Sequence, residues 1–324
     1  MFKIKNIEIK NPIIIAPMAG ISNGAFRQIC FEFGAGLIYS EMISDKAILY
    51  NNAKTLKMME VDDNYHPMSL QLFGRDKDSL IYAAKYMDTQ SNCDLIDINM
   101  GCPVNKVVKT GAGSAMMLNE DESVEIVKEI VSNVSKPVTV KMRLGYTYKQ
   151  LNYLSLAKKL EDVGVSAIAL HARTRGQMYE GHSDWSHIKT LKDNLKIPVI
   201  GNGDVKTLDD FIKMMQETNC DGVMIGRGVV GNPFLIKEIS NYLEGNSNAE
   251  ISIDEKFKYC LKQAHKLIEL KGEKIGISEM RGLAPHYISG LYKASEYKEK
   301  MNHINTYDDL QDILDNYKKE LISR

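Results

Sequence analysis

Short runs of apolar and β-branched residues recur along this chain, and longer amphipathic stretches separate them. That alternation is the pattern of parallel strands joined by crossover helices. Strands are predicted at 13–16, 37–41, 68–73, 95–99, 138–142, 167–171, 199–201 and 222–225. Eight such units favour a closed (β/α)8 TIM barrel over an open doubly wound sheet. Helices fit between them, for example at 124–133 with apolar residues at helical spacing, and at 151–163 running into the Gly164 stop. The opening segment 2–10 alternates like a small hairpin that closes the bottom of the barrel.

The pattern changes after the helix that follows the eighth strand. Gly245-Asn246-Ser247-Asn248-Ala249 is polar and turn-forming, and beyond Asp254 every stretch reads as helix. The expected organisation is therefore α/β: a catalytic barrel over 1–244, a linker over 245–252 and a small all-helical domain over 253–324. Phe257, Leu261, His265 and Leu267 are expected to share one helix face.

Composition agrees with one barrel plus an appendage, since 324 residues exceed the about 250 of a typical barrel. The chain is 44% hydrophobic and 26% charged, ordinary values for a globular protein. A formal net charge of −1 removes the global basic signature of many nucleic-acid binders and leaves only local patches. The apolar run in the first twenty residues is too short for a signal-peptide core, and no stretch approaches the roughly 20 apolar residues that span a bilayer. A soluble, cytoplasmic protein with no membrane contact is expected, and a monomer. Its five cysteines, Cys30, Cys93, Cys102, Cys220 and Cys260, form no CxxC or Cys/His pair at metal-ligand spacing, so reduced thiols and no metal are expected.

Polar residues gather at the C-terminal ends of the predicted strands, where the βα loops of a barrel converge on its active site. The third strand carries Gln71, the fourth ends in Asn99-Met100-Gly101-Cys102-Pro103, and the fifth carries Lys141 and Arg143. His171, Arg173 and Arg175 follow the sixth, Asn202-Gly203-Asp204 the seventh and Gly226-Arg227-Gly228 the eighth. Each alone has a structural reading: a barrel ion pair for Lys141, a capping group for Gln71, a satisfied core histidine for His171. Together they would be costly to bury without a polar ligand.

Bare backbone N–H groups at Gly201-Asn202-Gly203 and Gly226-Arg227-Gly228 mark the usual phosphate site of this fold, with Arg227 adding charge-assisted hydrogen bonds. Gly226 to Gly231 also matches G-x-G-x-x-G. A dinucleotide site, however, needs a further parallel strand with an acid, and Asn232-Pro233 and a helix follow instead. The Gly111-Ala112-Gly113 turn fails too, because no strand precedes it. A mononucleotide fits better, and flavin mononucleotide, FMN, best: Lys141 suits the ring pole that turns negative on reduction, Gln71 the pyrimidine edge, and Pro17-Met18-Ala19 a flat apolar wall. For Met18 the alternative is ordinary core packing.

The same residues resemble a known family, the tRNA-dihydrouridine synthases, and most closely its bacterial B-type branch. The resemblance rests on Ala16-Pro17-Met18-Ala19-Gly20 with Phe26-Arg27, on Asp97-Ile98-Asn99-Met100-Gly101-Cys102-Pro103, and on His171-Ala172-Arg173-Thr174-Arg175 with Tyr179, Gly181 and Asp184-Trp185. It continues through Pro198-Val199-Ile200-Gly201-Asn202-Gly203-Asp204 and Met224-Ile225-Gly226-Arg227, and so covers the whole barrel. It implies reduction of the C5=C6 bond of specific uridines in tRNA by FMN, with NADPH as reductant. Carried over position by position, Pro17, Met18, Ala19, Gln71, Lys141, His171, Asn202, Gly203, Asp204, Gly226 and Arg227 hold the flavin. Cys102 is then the acid that protonates C5, a role open to a thiol of unperturbed pKa near about 8.5 that is still protonated at neutral pH.

Asn99, Arg173 and Arg175 are expected to meet the substrate, and Lys106, Lys109 and Lys293 are further phosphate contacts, each with a solvated-surface alternative. The helical segment departs from the family pattern: Met280-Arg281-Gly282-Leu283-Ala284-Pro285-His286-Tyr287 stands where the family often shows M-R-K-H-x-x-W-Y. Gly282, Leu283 and His286 thus bear on how tRNA is anchored. Two rival functions remain: an FMN barrel enzyme acting on a free pyrimidine, against which the helical segment argues, and a non-catalytic RNA-binding barrel, against which the complete flavin and acid positions argue.

Overall fold

In a computed structural model of the chain, residues 1–323 are described. β1 (Phe2–Ile4) and β2 (Ile7–Ile9) pair antiparallel, Phe2 opposite Ile9 and Ile4 opposite Ile7. Ile4 and Ile9 pack in one buried cluster with Ile14, Leu37, Leu95, Ala167 and Ile200, so this hairpin seals the N-terminal end of the barrel as its alternation predicts.

The barrel strands are β3 (Ile13–Ile15), β4 (Leu37–Ser44), β5 (Met68–Phe73), β6 (Leu95–Met100), β7 (Val138–Arg143), β8 (Ala167–His171), β9 (Val199–Asn202) and β10 (Gly222–Ile225). They are parallel and follow one another around a closed ring in which β10 returns to β3. All eight coincide with predicted strands to within three residues at either end. β3 and β10, covered on both faces, read as continuous apolar runs, while β5, β6 and β7 keep an apolar outer face and alternate it with polar residues.

Two barrel helices show how local chemistry sets the boundaries. Glu120–Asn133 begins four residues before its apolar face does, because Asn119 accepts a hydrogen bond from the backbone of Glu122 and three acidic residues fill the first turn. The helix predicted from residue 151 begins instead at Tyr153 and ends at Asp162, with Gly164 just beyond at φ +95°. Leu151 is drawn into an isolated bridge with Gly145.

The chain divides into two compact units, one of residues 1–19 and 35–226, the other of residues 20–34 and from 227 onward. The second unit is helical: Gly24–Glu32, Phe234–Glu244, Ile253–Lys271, Glu273–Tyr287, Ala294–Met301 and Tyr307–Ile322. Within it Phe33, Phe234 and Tyr259 form an aromatic cluster with ring centroids 4.7 to 5.6 Å apart. Lys266 Nζ donates to Gln28 Oε1 at 2.8 Å. These contacts tie the helix after β3 and the helix after β10 to the C-terminal helices. Residues 246–252 have no regular structure, and Ser252 caps the next helix by accepting from the backbone of Glu255.

The buried face of Ile253–Lys271 is Phe257, Cys260, Gln263, Ala264 and Leu267, at helical spacing. His265 is exposed and falls outside the expected face, because the stripe runs through Cys260 and Ala264 rather than Leu261 and His265. Among the described residues no helix is long and apolar enough to cross a membrane.

Candidate active site

Alternation along a strand sends every second side chain into the barrel, so Leu95, Asp97 and Asn99 on β6 share one face, as do Thr139, Lys141 and Arg143 on β7. Register sets these side by side: Gln71 lies opposite Asp97, Asp97 opposite Thr139, Asn99 opposite Lys141, Arg143 opposite His171, and His171 opposite Asn202. Parallel in-register strands therefore gather Gln71, Asn99, Lys141, His171 and Asn202 at the C-terminal end of the barrel, as the sequence predicts. Gln71 is fully buried, and Asn99, His171 and Asn202 are at most 8% exposed.

Two separate sets of hydrogen bonds hold four of them. Asn99 Nδ2 donates to Gln71 Oε1 at 2.7 Å, while Asn99 Oδ1 accepts from the backbone N–H of Gly101 at 3.1 Å and of Cys102 at 2.9 Å. Lys141 Nζ donates to Asn202 Oδ1 at 3.1 Å, and Asn202 Nδ2 donates to the carbonyl of Met224 at 2.6 Å. Lys141 forms no ion pair with a carboxylate among the described residues. Desolvation, aided by the positive charge of Arg143, pushes its ammonium down to about 8.

A lysine with a depressed folded pKa costs stability below that value and recovers it as pH rises toward the unfolded value. The parent protein should therefore gain stability relative to Lys141→Met between about pH 8 and 10, by about 2 kcal/mol. Thermal unfolding of both proteins across that range checks it, and a constant difference would remove the desolvated charge from the account.

Cys102 follows β6 in a turn and is half-buried, whereas the other four cysteines are buried. Burial raises its thiol pKa, against a backbone hydrogen bond and the lowering influence of Arg143 and Lys141, so the protonated form prevails at neutral pH. The turn is braced from behind: Ser114 donates to the carbonyl of Cys102 from both its backbone, at 3.1 Å, and its hydroxyl, at 3.0 Å. Gly113 sits there at φ +62°, and a Cβ on it would lie 2.8 Å from that carbonyl oxygen. Gly113 thus serves the cysteine turn.

Two arginines expected from the strand ends are committed to the protein. Arg143, 1% exposed, donates to the carbonyls of Gly101, Thr174 and Met178 at 2.7 to 2.9 Å. Arg173, also 1% exposed, donates to the carbonyls of Glu180 and Gly181, to Ser183 Oγ and to both carboxylate oxygens of Asp204. These acceptors occupy its guanidinium and hold the loop after β8, with Asp204 as its counter-ion. Arg175 is half-buried, bonds Asn105 Oδ1 at 2.6 Å and lies over the Tyr146 ring.

Gly203, at φ +124°, leaves no room for a side chain: a Cβ would lie 2.1 Å from Ser183 Oγ. Trp185 Nε1 donates to its carbonyl at 3.0 Å. Met18 packs against the barrel core, Pro17 is half-buried and Ala19 is exposed, while Gly226 meets Met18 Sδ at 3.7 Å from its virtual Cβ. Arg227 is exposed in the short turn Arg227–Val229 and opens the second unit.

The model of the family described as dihydrouridine synthase matches residues 14–322. The chain belongs to the dihydrouridine synthase family. It is 37% identical to the tRNA-dihydrouridine synthase B of Vibrio cholerae over 97% of this chain and 98% of that one. It is also 37% identical to a probable tRNA-dihydrouridine synthase of Rickettsia conorii, over 94% of this chain and 92% of that one. Among solved structures, a 2-naphthoyl-CoA reductase shares the fold at TM-score 0.60 and 14% identity, covering 76% of this chain and 52% of that one. A histamine dehydrogenase from Rhizobium sp. 4-9 does so at TM-score 0.55 and 15% identity, covering 87% and 50%. For this dihydrouridine synthase family member, both neighbours match the barrel architecture.

Proposed function

We propose that this chain is a flavin-dependent oxidoreductase that reduces the C5=C6 bond of uridines in tRNA, with FMN as cofactor, NADPH as reductant and Cys102 as proton donor. The observation that carries the reading is Lys141: an ammonium at the C-terminal mouth of the barrel, held by a neutral amide and paired with no carboxylate among the described residues. A desolvated cation in that position suits an anionic ring, and the amide groups of Gln71 and Asn202 suit its polar edges. The similarity to proteins named as tRNA-dihydrouridine synthases supports the substrate.

The donor set fits a flavin. Gln71, Lys141, His171 and Asn202 would hold it from the strand ends, Gly203 and Gly226 would offer unobstructed backbone, and Pro17, Met18 and Ala19 would form an apolar wall. When bound, a flavin supplies the hydride that uracil accepts at C6. The thiol of Cys102 gives its proton to C5, and its raised pKa keeps that proton in place until the step needs it. Asn99, whose side chain bonds both the Cys102 turn and Gln71, would orient the turn and meet the substrate beside it. Arg175 and the helical residues from 253 onward are the proposed tRNA contacts. Of the three departures in that segment, Gly282 and His286 are exposed and Leu283 is buried, so the first two bear on anchoring.

The purified protein is expected to carry non-covalent FMN, released by heat and identified by chromatography. FAD, or no flavin after reconstitution, would overturn the assignment. Mapping dihydrouridine in tRNA from cells with and without this protein tests function and position together.

A further inference from the structure

Gln71, which bonds Asn99 and through it the Cys102 turn, has a buried neighbour that the reaction itself does not require. Asp97, fully buried on β6, accepts from Gln71 Nε2 at 2.6 Å and from Thr139 Oγ1 at 2.6 Å. We propose that Asp97 is a positioning residue: through Gln71 and Asn99, its carboxylate fixes the turn that presents Cys102.

The orientation of each group follows from donors and acceptors along the chain. At the far end the backbone N–H groups of Gly101 and Cys102 can only donate, so Asn99 must turn its Oδ1 toward them and its Nδ2 toward Gln71. Gln71 must then present Oε1 to Asn99 and Nε2 to Asp97. The residue at position 97 must therefore accept from Gln71; here it also accepts from Thr139, whose hydroxyl could itself accept from a donor at that position. An ionised carboxylate accepts both at once. Burial pushes the Asp97 carboxyl up to about 6, with hydrogen bonds from Thr139 and Gln71 opposing the shift, so the acceptor form still prevails at neutral pH. One buried carboxylate thus sets the orientation of two side-chain amides and, through them, of the turn.

The inference rests on the reading of Cys102 as the site thiol, and its test is separable from that reading. Asp97→Leu removes the acceptor for Gln71 at nearly the same side-chain size, whereas an amide there could still accept from Gln71 by turning its nitrogen to the Thr139 hydroxyl. Asp97→Asn combined with Gln71→Glu instead reverses the polarity of the pair, because a carboxylate at position 71 accepts both from the new amide and from Asn99. Alkylation by iodoacetamide, followed by mass spectrometry on the purified full-length protein, reports Cys102 selectively, since the other four cysteines are buried and serve as internal references.

Asp97→Leu should speed Cys102 alkylation by about tenfold, the order expected for a loop that loses a buried hydrogen bond. The double variant Asp97→Asn/Gln71→Glu, which rebuilds the chain with reversed polarity, should stay near the parental rate. Gln71→Glu removes a proposed flavin contact, so protection kept in the double variant is not cofactor shielding. If Asp97→Leu is too unstable to purify, recovery of soluble protein in the double variant supports the proposal equally, and failure to recover it overturns the proposal. A parental rate in Asp97→Leu, or a double variant no better than the single, would overturn it as well. Flavin content and dihydrouridine formation by the parent protein test the functional reading by themselves.

Discussion

In the Cys102→Ala variant, dihydrouridine formation is expected to fall by about 10²- to 10⁴-fold, the usual contribution of a positioned general acid. Flavin content and NADPH oxidation should stay at the parental level, because neither requires a proton delivered to uracil. The two halves separate because Cys102 lies on the β6 turn, whereas Lys141 and Asn202 project from β7 and β9. Serine at position 102 should rescue little, since a hydroxyl is a far weaker acid than a thiol. Stopped-flow measurement of both half-reactions with unmodified tRNA decides the matter. Flavin reoxidation by tRNA at the parental rate in Cys102→Ala would assign the acid to another residue.

Arg173→Ala is expected to destabilise the protein by about 3–5 kcal/mol, the range found when one partner of a buried ion pair is removed. Its side chain is 2% exposed and that of Asp204 21%, so solvent compensates little for the loss. The carbonyls of Glu180 and Gly181 lose their donor in the same step. Thermal unfolding should shift by roughly 10 °C for a barrel of this size. An arginine that instead neutralised an RNA phosphate would leave the melting temperature nearly unchanged and lower the salt dependence of tRNA binding by about one unit of slope. That second outcome would return Arg173 to the substrate surface.

Arg173 also marks where the sequence stops being legible. Residue type and place at a strand end are visible in one chain, and they locate Gln71, Asn99, Lys141, His171 and Asn202 at one end of the barrel. Whether a charged group faces solvent or the protein depends on how irregular loops fold back, here Glu180, Gly181 and Ser183 further along the loop after β8 and Asp204 in the loop after β9. Gly113 is a parallel case: it reads as part of a failed phosphate turn, and only the approach of the Cys102 carbonyl shows what its missing side chain is for. Asp97 is visible at the head of the segment that ends in Cys102-Pro103, yet alternation says only that it points into the barrel and not that it meets Gln71.

The same limit applies to the helices at larger scale. Periodicity shows that Gly24–Glu32 and Phe234–Glu244 each have an apolar face, yet not what covers it. The cluster of Phe33, Phe234 and Tyr259 assigns both to the helical unit, a pairing between residues roughly 200 or more positions apart in sequence that no local pattern encodes.

The central claim is that this chain reduces uridine in tRNA. Incubating the flavin-loaded protein with NADPH and tRNA transcribed without modifications, then quantifying dihydrouridine by mass spectrometry of the digested RNA, tests it directly. The account predicts dihydrouridine at one or a few defined positions, dependent on NADPH and lost in Cys102→Ala. Flavin-loaded protein that oxidises NADPH but leaves every uridine unreduced would contradict it.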